Sequence, residues 1–217
     1  MKPLEGITVL EFSTMITASF AAMMMAEQGA RVIKVEPMNM GDPMRYIGAN
    51  KGGISSLFAN CNRGKQSIRV NLKDETGQML IREMIPEVDI FIHNFRPGVM
   101  DKLNLSSETL RALNPRLIYT AISGFGKEGP LGGAPAYDPI IQALSGLASI
   151  QGGADDARPR LVRTIVPDKL TGVTAAQAIS TALFARERTG QGQHIRLSML
   201  DSVVAFLWSS DMGSQTL

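Results

Sequence analysis

The chain is short of the residues on which most catalytic chemistry depends. Its 217 residues include one cysteine, Cys61, so no internal disulfide can form. That suits a reducing cytoplasm, and a cytoplasmic location is the expectation. There are only two histidines, His93 and His194, and no cysteine cluster, which argues against a zinc site. Neither histidine is near Cys61 in sequence, so this thiol is expected to be structural rather than nucleophilic. Aromatic residues make up only 6%. The 13 methionines and 21 glycines must therefore do much of the packing. A net charge of +2 gives no ground for nucleic-acid binding. It leaves room for a local basic pocket that takes a phosphate-bearing ligand. The start lacks a signal-peptide pattern, because Glu5 and Glu11 come too soon. The longest apolar stretch, residues 16–26, is broken by Thr17 and Ser19 and is too short to cross a bilayer.

What is present is an alternation of strand and helix. Hydrophobic residues are 44% and charged residues 19%, enough for a real core in one large domain or two small ones. Residues 6–12 (GITVLEF) read as a strand, 17–28 as an Ala/Met helix capped by Gly29, and 30–36 (ARVIKVE) as a second strand. Strand, helix and strand in about thirty residues form a βαβ unit and imply a parallel sheet. Further strands are expected at 67–72, 88–93, 116–123 and 194–199, and helices at 74–85, 99–103, 106–113, 137–150 and 200–212. The first strand-to-helix turn, residues 13–19, has no glycine, so it lacks the G-x-G-x-x-G of a dinucleotide site. Glu36 stands where a ribose-binding acid would be, and also where a solvated strand-end charge would be. Residues 37–64 form a long loop carrying Arg45, Tyr46, Lys51 and Arg63, with Lys65 just beyond, opposed only by Asp42. It reads equally as a functional loop and as a solvated one. Residues 127–136 and 151–159 are Gly- or Pro-containing loops.

Strand ends carry Ser13, Lys73, Asn94 and Ser123. In an open α/β sheet ligands bind beyond the carboxyl ends of the strands, so these positions are expected to converge. The stretch 161–188 is the centre of the pattern. Residues 161–166 (LVRTIV) read as a buried strand that stops at Pro167, and Asp168 then opens a long small-residue helix. A carboxylate there faces unpaired backbone N–H groups and the positive end of the helix dipole. It can serve as the helix N-cap or, if exposed, as a nucleophile kept ionised by its setting.

Taken in order, the short motifs are specific together. VLEF (9–12), VIKVE (32–36), NRGK (62–65), SIRVNLK (67–73), NFRPGVMDKL (94–103), GFG (124–126), YDPIIQALSGL (137–147), PD (167–168), TG (171–172) and RERTGQGQ (186–193) resemble the class III coenzyme A transferases. This is the family of formyl-CoA:oxalate and carnitine-related CoA-transferases, and the resemblance runs along essentially the whole chain. It implies a Rossmann-like open, mostly parallel sheet with helices on both faces. The chain would be the N-terminal part of that large domain, with the small domain and C-terminal part absent. In the family two such chains interlock as a homodimer.

The resemblance also implies chemistry. Asp168, in an Asp168-x-x-x-Gly172 context, matches the family's aspartate nucleophile. It would attack an acyl-CoA thioester and pass through an aspartyl anhydride and an aspartyl-CoA thioester. Partners would be acyl-CoA and a small carboxylic acid, with CoA as substrate and no permanent cofactor, metal, nucleic acid or membrane. CoA contacts carry over to Ile16, Thr17 and Ala18; to Val70, Asn71, Leu72 and Lys73; to Asn94, Phe95 and Arg96; to Lys102; and to Ser123, Gly124, Phe125 and Gly126. Read alone, Lys73 and Lys102 are surface lysines. The chain departs from the family at Thr17-Ala18-Ser19, Pro37 and Ser123, all near CoA positions. Two other readings remain. One is an α-methylacyl-CoA racemase, whose histidine would stand where this chain has Tyr137, before Asp138. The other is a CoA-binding fragment without turnover.

Overall fold

The computed structural model describes residues 1–153 and 157–216. The chain runs β1 (Thr8–Phe12), α1 (Thr17–Glu27), β2 (Arg31–Glu36), a small hairpin of β3 (Asn50–Lys51) and β4 (Ile54–Ser55), then α2 (Ser56–Asn62) and β5 (Gln66–Arg69). It continues with α3 (Glu75–Met84), β6 (Ile90–His93), α4 (Val99–Lys102), α5 (Ser107–Leu113) and β7 (Ile118–Ser123). The last part holds α6 (Asp138–Leu144), α7 (Leu147–Gly152), α8 (Val166–Thr189), β8 (His194–Ser198) and α9 (Met199–Trp208).

Six strands form one sheet in the order β5-β2-β1-β6-β7-β8, and every pairing within it is parallel. The strand order reverses between β1 and β6, where Val9 pairs with Ile90 and Phe12 with His93. That reversal is the topological switch point of a doubly wound sheet. The four inner strands, β2, β1, β6 and β7, are buried on both faces, which is why they read as largely apolar runs, while the edge strands β5 and β8 are partly exposed. One face carries Val9, Val32, Ile90, Ile92 and Ile118 under α1 and α8. The other carries Leu10, Phe12, Ile33, Phe91 and Tyr119 under α3 and α5.

Helices α1 and α8 meet through small residues: Ala18, Ala21 and Ala22 against Ala175, Ala176 and Ala182. Gly172 is the tightest point. A Cβ there would sit 3.0 Å from the Thr17 carbonyl oxygen and 3.0 Å from Phe20 Cδ1. Gly172→Val is therefore expected to overpack the helix pair and destabilise the protein by about 1–3 kcal/mol. A denaturant titration checks this, and an unchanged midpoint would show that the contact yields freely.

Three expectations change. Residues 161–166 are not a buried strand. Leu161, Arg163 and Thr164 are exposed, no strand pairs with them, and the helix already begins at Val166. Proline is favoured in a helix's first turn, so Pro167 starts α8 rather than ending a strand. The single helix expected over 137–150 is two, α6 and α7, split where Gly146 takes φ +85°. The long loop 37–64 holds a 3-10 turn (Pro43–Tyr46) and the β3–β4 hairpin, and the helical turn that its residues 55–60 suggest is α2. In the loop expected at 151–159, Ala154, Asp155 and Asp156 lie outside the described residues. Among the described residues no helix is long and apolar enough to cross a membrane.

Candidate active site

The first strand-to-helix turn is shaped by charges buried beneath it. Lys34 Nζ bonds Glu11 Oε1 at 2.8 Å and Asp42 Oδ2 at 2.9 Å, and Lys65 Nζ bonds Glu11 Oε2 at 2.7 Å; none of the four side chains is more than 2% exposed. Ser13 and Ser19 hydroxyls also contact Lys34 Nζ, at 2.8 and 3.0 Å. Burial alone would raise the Glu11 carboxyl, but Lys34 and Lys65 outweigh it and hold it down at about 2. Burial brings Lys65 down to about 8. Asp42 Oδ1 accepts the Met15 and Met44 N–H groups, at 3.4 and 2.9 Å. It thereby braces Met15 in a left-handed conformation, φ +62°, that costs energy for a non-glycine residue.

Asn94 holds the same turn from the other side. Its Oδ1 accepts the Thr14 N–H at 3.1 Å, and its Nδ2 donates to Thr14 O at 2.6 Å and Thr17 Oγ1 at 3.0 Å. These two braces lie on either side of the switch point, and a cleft of about 280 Å³ opens above them.

The cleft collects residues from five places in the chain. Thr14, Met15 and Thr17 come from the β1–α1 turn; Asn94, Phe95 and Arg96 follow β6; Ser123 to Gly126 follow β7; Tyr137, Asp138 and Asp168 come from the starts of α6 and α8. Gly124 is required because a Cβ there would overlap Ala136 Cβ across the cleft wall. The expected residues Thr17, Asn94, Phe95, Arg96 and Ser123 through Gly126 thus gather around Asp168. Ile16, Ala18 and Val70 are buried in the core instead. Leu72 is half-buried, and Asn71, Lys73 and Lys102 are exposed; none of these lines the cleft. Of the strand-end set, Asn94 and Ser123 converge, Ser13 lies in the buried charge network, and Lys73 stays apart.

Several cations of the 37–65 segment, read equally as ligand-binding or solvated, are paired within the chain. Arg45 forms an ion pair with Glu36 at 2.6 Å, Lys65 with Glu11, and Arg63 with Glu27 at 2.6 Å. Glu36 also accepts from Ser67 and the Asp42 N–H, so it is not a ribose acceptor. Cys61 is buried, and burial pushes its thiol up, as suits a structural residue.

Asp168 occupies the third position of α8 and is not its N-cap. Ile165 takes the cap position with no side-chain hydrogen bond. The capping oxygen comes from another helix: Asp138 Oδ2 accepts the Asp168 N–H at 3.2 Å. Asp138 Oδ1 accepts from Gln142 Nε2 at 2.6 Å. The Gln142 amide in turn accepts the Val162 N–H at 2.8 Å and donates to Thr164 O at 3.3 Å, fixing the approach to α8. Burial raises the Asp168 carboxyl far above the usual carboxylate range and the Asp138 charge raises it further, to about 7. The helix dipole acts in the opposite sense. The expectation of an easily ionised acid is corrected on this point.

The raised value sets a stability prediction. Between about pH 4 and pH 7 the unfolded chain has released this proton while the folded chain retains it, so stability falls as pH rises across that window. Asp168→Asn removes that slope. It is expected to raise stability by roughly 1–3 kcal/mol above pH 7, after a discount for partial exposure, with the gain vanishing near pH 4. Melting curves of both proteins from pH 4 to 8 check this, and parallel profiles would contradict it.

A doubly wound α/β sheet with a ligand cleft at its switch point defines the class of protein. Residues 4–215 match CoA-transferase family III, and the chain belongs to that family. It is 44% identical over 205 residues to the acetyl-CoA:oxalate CoA-transferase of Acetobacter aceti, covering 94% of this chain and 53% of that protein. It is 39% identical over 218 residues to the succinate–glutarate CoA-transferase of Agrobacterium fabrum, covering 97% and 54%. A solved CAIB/BAIF family protein from Brucella suis superposes with a TM-score of 0.92 at 36% identity, over 99% of this chain and 57% of that one. The chain spans about half the length of the curated relatives it matches.

Proposed function

We propose that this chain carries the nucleophile and part of the CoA site of an enzyme that moves coenzyme A between an acyl-CoA thioester and a small carboxylic acid. One observation carries the proposal. Two carboxylates meet at the cleft, and only one is available: Asp138 is buried with both oxygens accepting N–H groups, whereas among the described residues no donor binds the Asp168 carboxylate.

The steps balance through Asp168. Its carboxylate oxygen attacks the thioester carbonyl, the C–S bond breaks, and the electron pair leaves on the CoA thiolate. A mixed anhydride remains. The thiolate attacks the aspartyl carbonyl and releases the first acid as its carboxylate, leaving an aspartyl-CoA thioester. The second acid's carboxylate attacks that thioester to form a new anhydride and thiolate, and the thiolate then takes the new acyl group and frees Asp168. Covalent catalysis divides one difficult exchange into easier steps. Phe95 and the Ser123–Gly126 turn are assigned to the pantetheine side of CoA, and Arg96 to a phosphate. Lys73 and Lys102 lie outside this cleft and are left as surface lysines. Soluble operation as a homodimer in the cytoplasm belongs to the same proposal.

Racemisation gains no support, because it needs a positioned acid/base pair. Both histidines line a neighbouring cavity rather than the Asp168 cleft, and Tyr137 holds the position before Asp138. The chain incubated in deuterium oxide with acetyl-CoA and a second, isotopically labelled acid distinguishes the two. Transfer predicts label in the acyl-CoA pool. Deuterium at the α-carbon without label exchange would overturn it.

A further inference from the structure

The cleft contains a second acid whose arrangement is unusual. Asp138 begins α6, yet its carboxylate is directed at another helix. One oxygen caps the first turn of α8 through the Asp168 N–H at 3.2 Å, and the other is gripped by Gln142 at 2.6 Å. Gln142, itself 2% exposed, also fixes residues 162 and 164 on the way into α8. Once ionised, Asp168 is thus a second anion acted on by the Asp138 charge, where burial gives little screening. A fold that needed only a cap for α8 would be served by Ser, Thr or Asn, without the repulsion.

We propose that Asp138 is the positioning residue of this site: anchored by Gln142, it fixes the first turn of α8, and its charge favours the acylated form of Asp168 over the free carboxylate. This rests on the reading of Asp168 as the nucleophile and extends it. An anhydride or thioester at Asp168 is uncharged. When it forms, the negative charge leaves with the CoA thiolate or the released acid, and the repulsion from Asp138 is relieved. Protonation of Asp168 relieves the same repulsion. The two equilibria must therefore respond together when the Asp138 charge is removed. A more basic carboxylate is also the better nucleophile once ionised.

The other charged and titratable groups around Asp168 leave Asp138 as its acidic neighbour. Tyr137 precedes α6, and Arg96 reaches the cleft from the loop after β6. Lys169, next on α8, directs its ammonium to Thr164 Oγ1 at 2.9 Å. Helix α1 contributes only the uncharged Thr17.

The test separates this inference from the nucleophile assignment. The Asp168 carboxyl carbon is titrated by NMR in the free chain, wild type against Asp138→Asn, with no acyl-CoA present. Asparagine keeps an acceptor for the Asp168 N–H and removes the charge. The expected result is a midpoint lowered by at least about one pH unit. In the same pair, acetyl-CoA followed by hydroxylamine should give about tenfold less Asp168 hydroxamate for each pH unit moved. An unmoved midpoint overturns the inference even where Asp168 still reacts, and a smaller amplitude at an unmoved midpoint marks a purely structural role. Asp138→Ser, which also removes the charge, replaces the asparagine variant if that does not fold, and Asp138→Glu is the second variant. It keeps the charge, so the midpoint must stay raised, and a return to the ordinary carboxylate range would overturn the proposal. Absence of any adduct in a wild type whose midpoint does depend on Asp138 would instead strike at the nucleophile assignment.

Discussion

Asp168→Asn is expected to abolish CoA exchange while leaving the protein folded. Loss of a covalent nucleophile costs on the order of 10⁴-fold or more in rate, since the neighbouring groups cannot replace the bond it forms. Asparagine fits the same space and keeps the backbone N–H that Asp138 accepts. The fold should therefore survive, and above pH 7 gain stability, because an acid that burial and Asp138 hold near pH 7 is no longer forced to ionise. Activity lost together with stability gained is a combination that a damaged fold does not produce. In the wild type, exchange should rise with pH through a midpoint near 7, as Asp168 loses its proton. An exchange assay beside a thermal melt checks the pair. A variant retaining a tenth of the wild-type rate would exclude Asp168 as nucleophile.

The second large effect is on stability. Lys34→Met should destabilise the protein by about 3–5 kcal/mol, because it leaves Asp42 and one oxygen of Glu11 buried without their cation. For a chain of this size that lowers Tm by roughly 10 °C. Arg63→Ala is the control. Its ion pair with Glu27 is about half exposed on both sides, and such pairs contribute about 1 kcal/mol or less. The network also gives a pH dependence. Glu11, held at about 2 in the fold against an ordinary value near 4.5, contributes stability that is present above pH 4.5 and lost as pH falls toward 2. Lys34→Met should weaken that acid slope. A fall in Tm no larger than that of Arg63→Ala would show that the four charges are not coupled as their distances imply.

The architecture was legible because strands buried on both faces give continuous apolar runs, and Gly and Asn-Pro breaks separate them. The apolar stretch 161–166 misled for a related reason. Apolar composition marks a strand only where a partner strand exists, and here the sheet continues from β7 directly to β8. The buried charges were illegible in principle. Glu11 and Lys34 lie 23 residues apart, and a single charge within an apolar strand gives no sign of its partner until the strands are paired. Glu36 and Arg45 were illegible in the same way: a strand-end acid and a loop cation each read as solvated, although they neutralise each other. Around the cleft, Asn94 and Ser123 follow from their places at strand ends, whereas Thr17 comes only with the family resemblance. The cap that Asp138 gives to α8 follows from neither, since it joins residues 30 apart on different helices. Asn94 shows the remaining gap: a residue expected to meet a ligand spends its carboxamide on the turn that shapes the ligand's cleft.

The central claim is that Asp168 takes up the acyl group. The direct measurement is peptide mass spectrometry of the chain treated with acetyl-CoA and other acyl-CoA thioesters and quenched with hydroxylamine. The expected result is a hydroxamate on Asp168, dependent on acyl-CoA and absent from Asp168→Asn. A hydroxamate on Asp138, or a thioester-dependent adduct elsewhere with Asp168 unmodified, would contradict it.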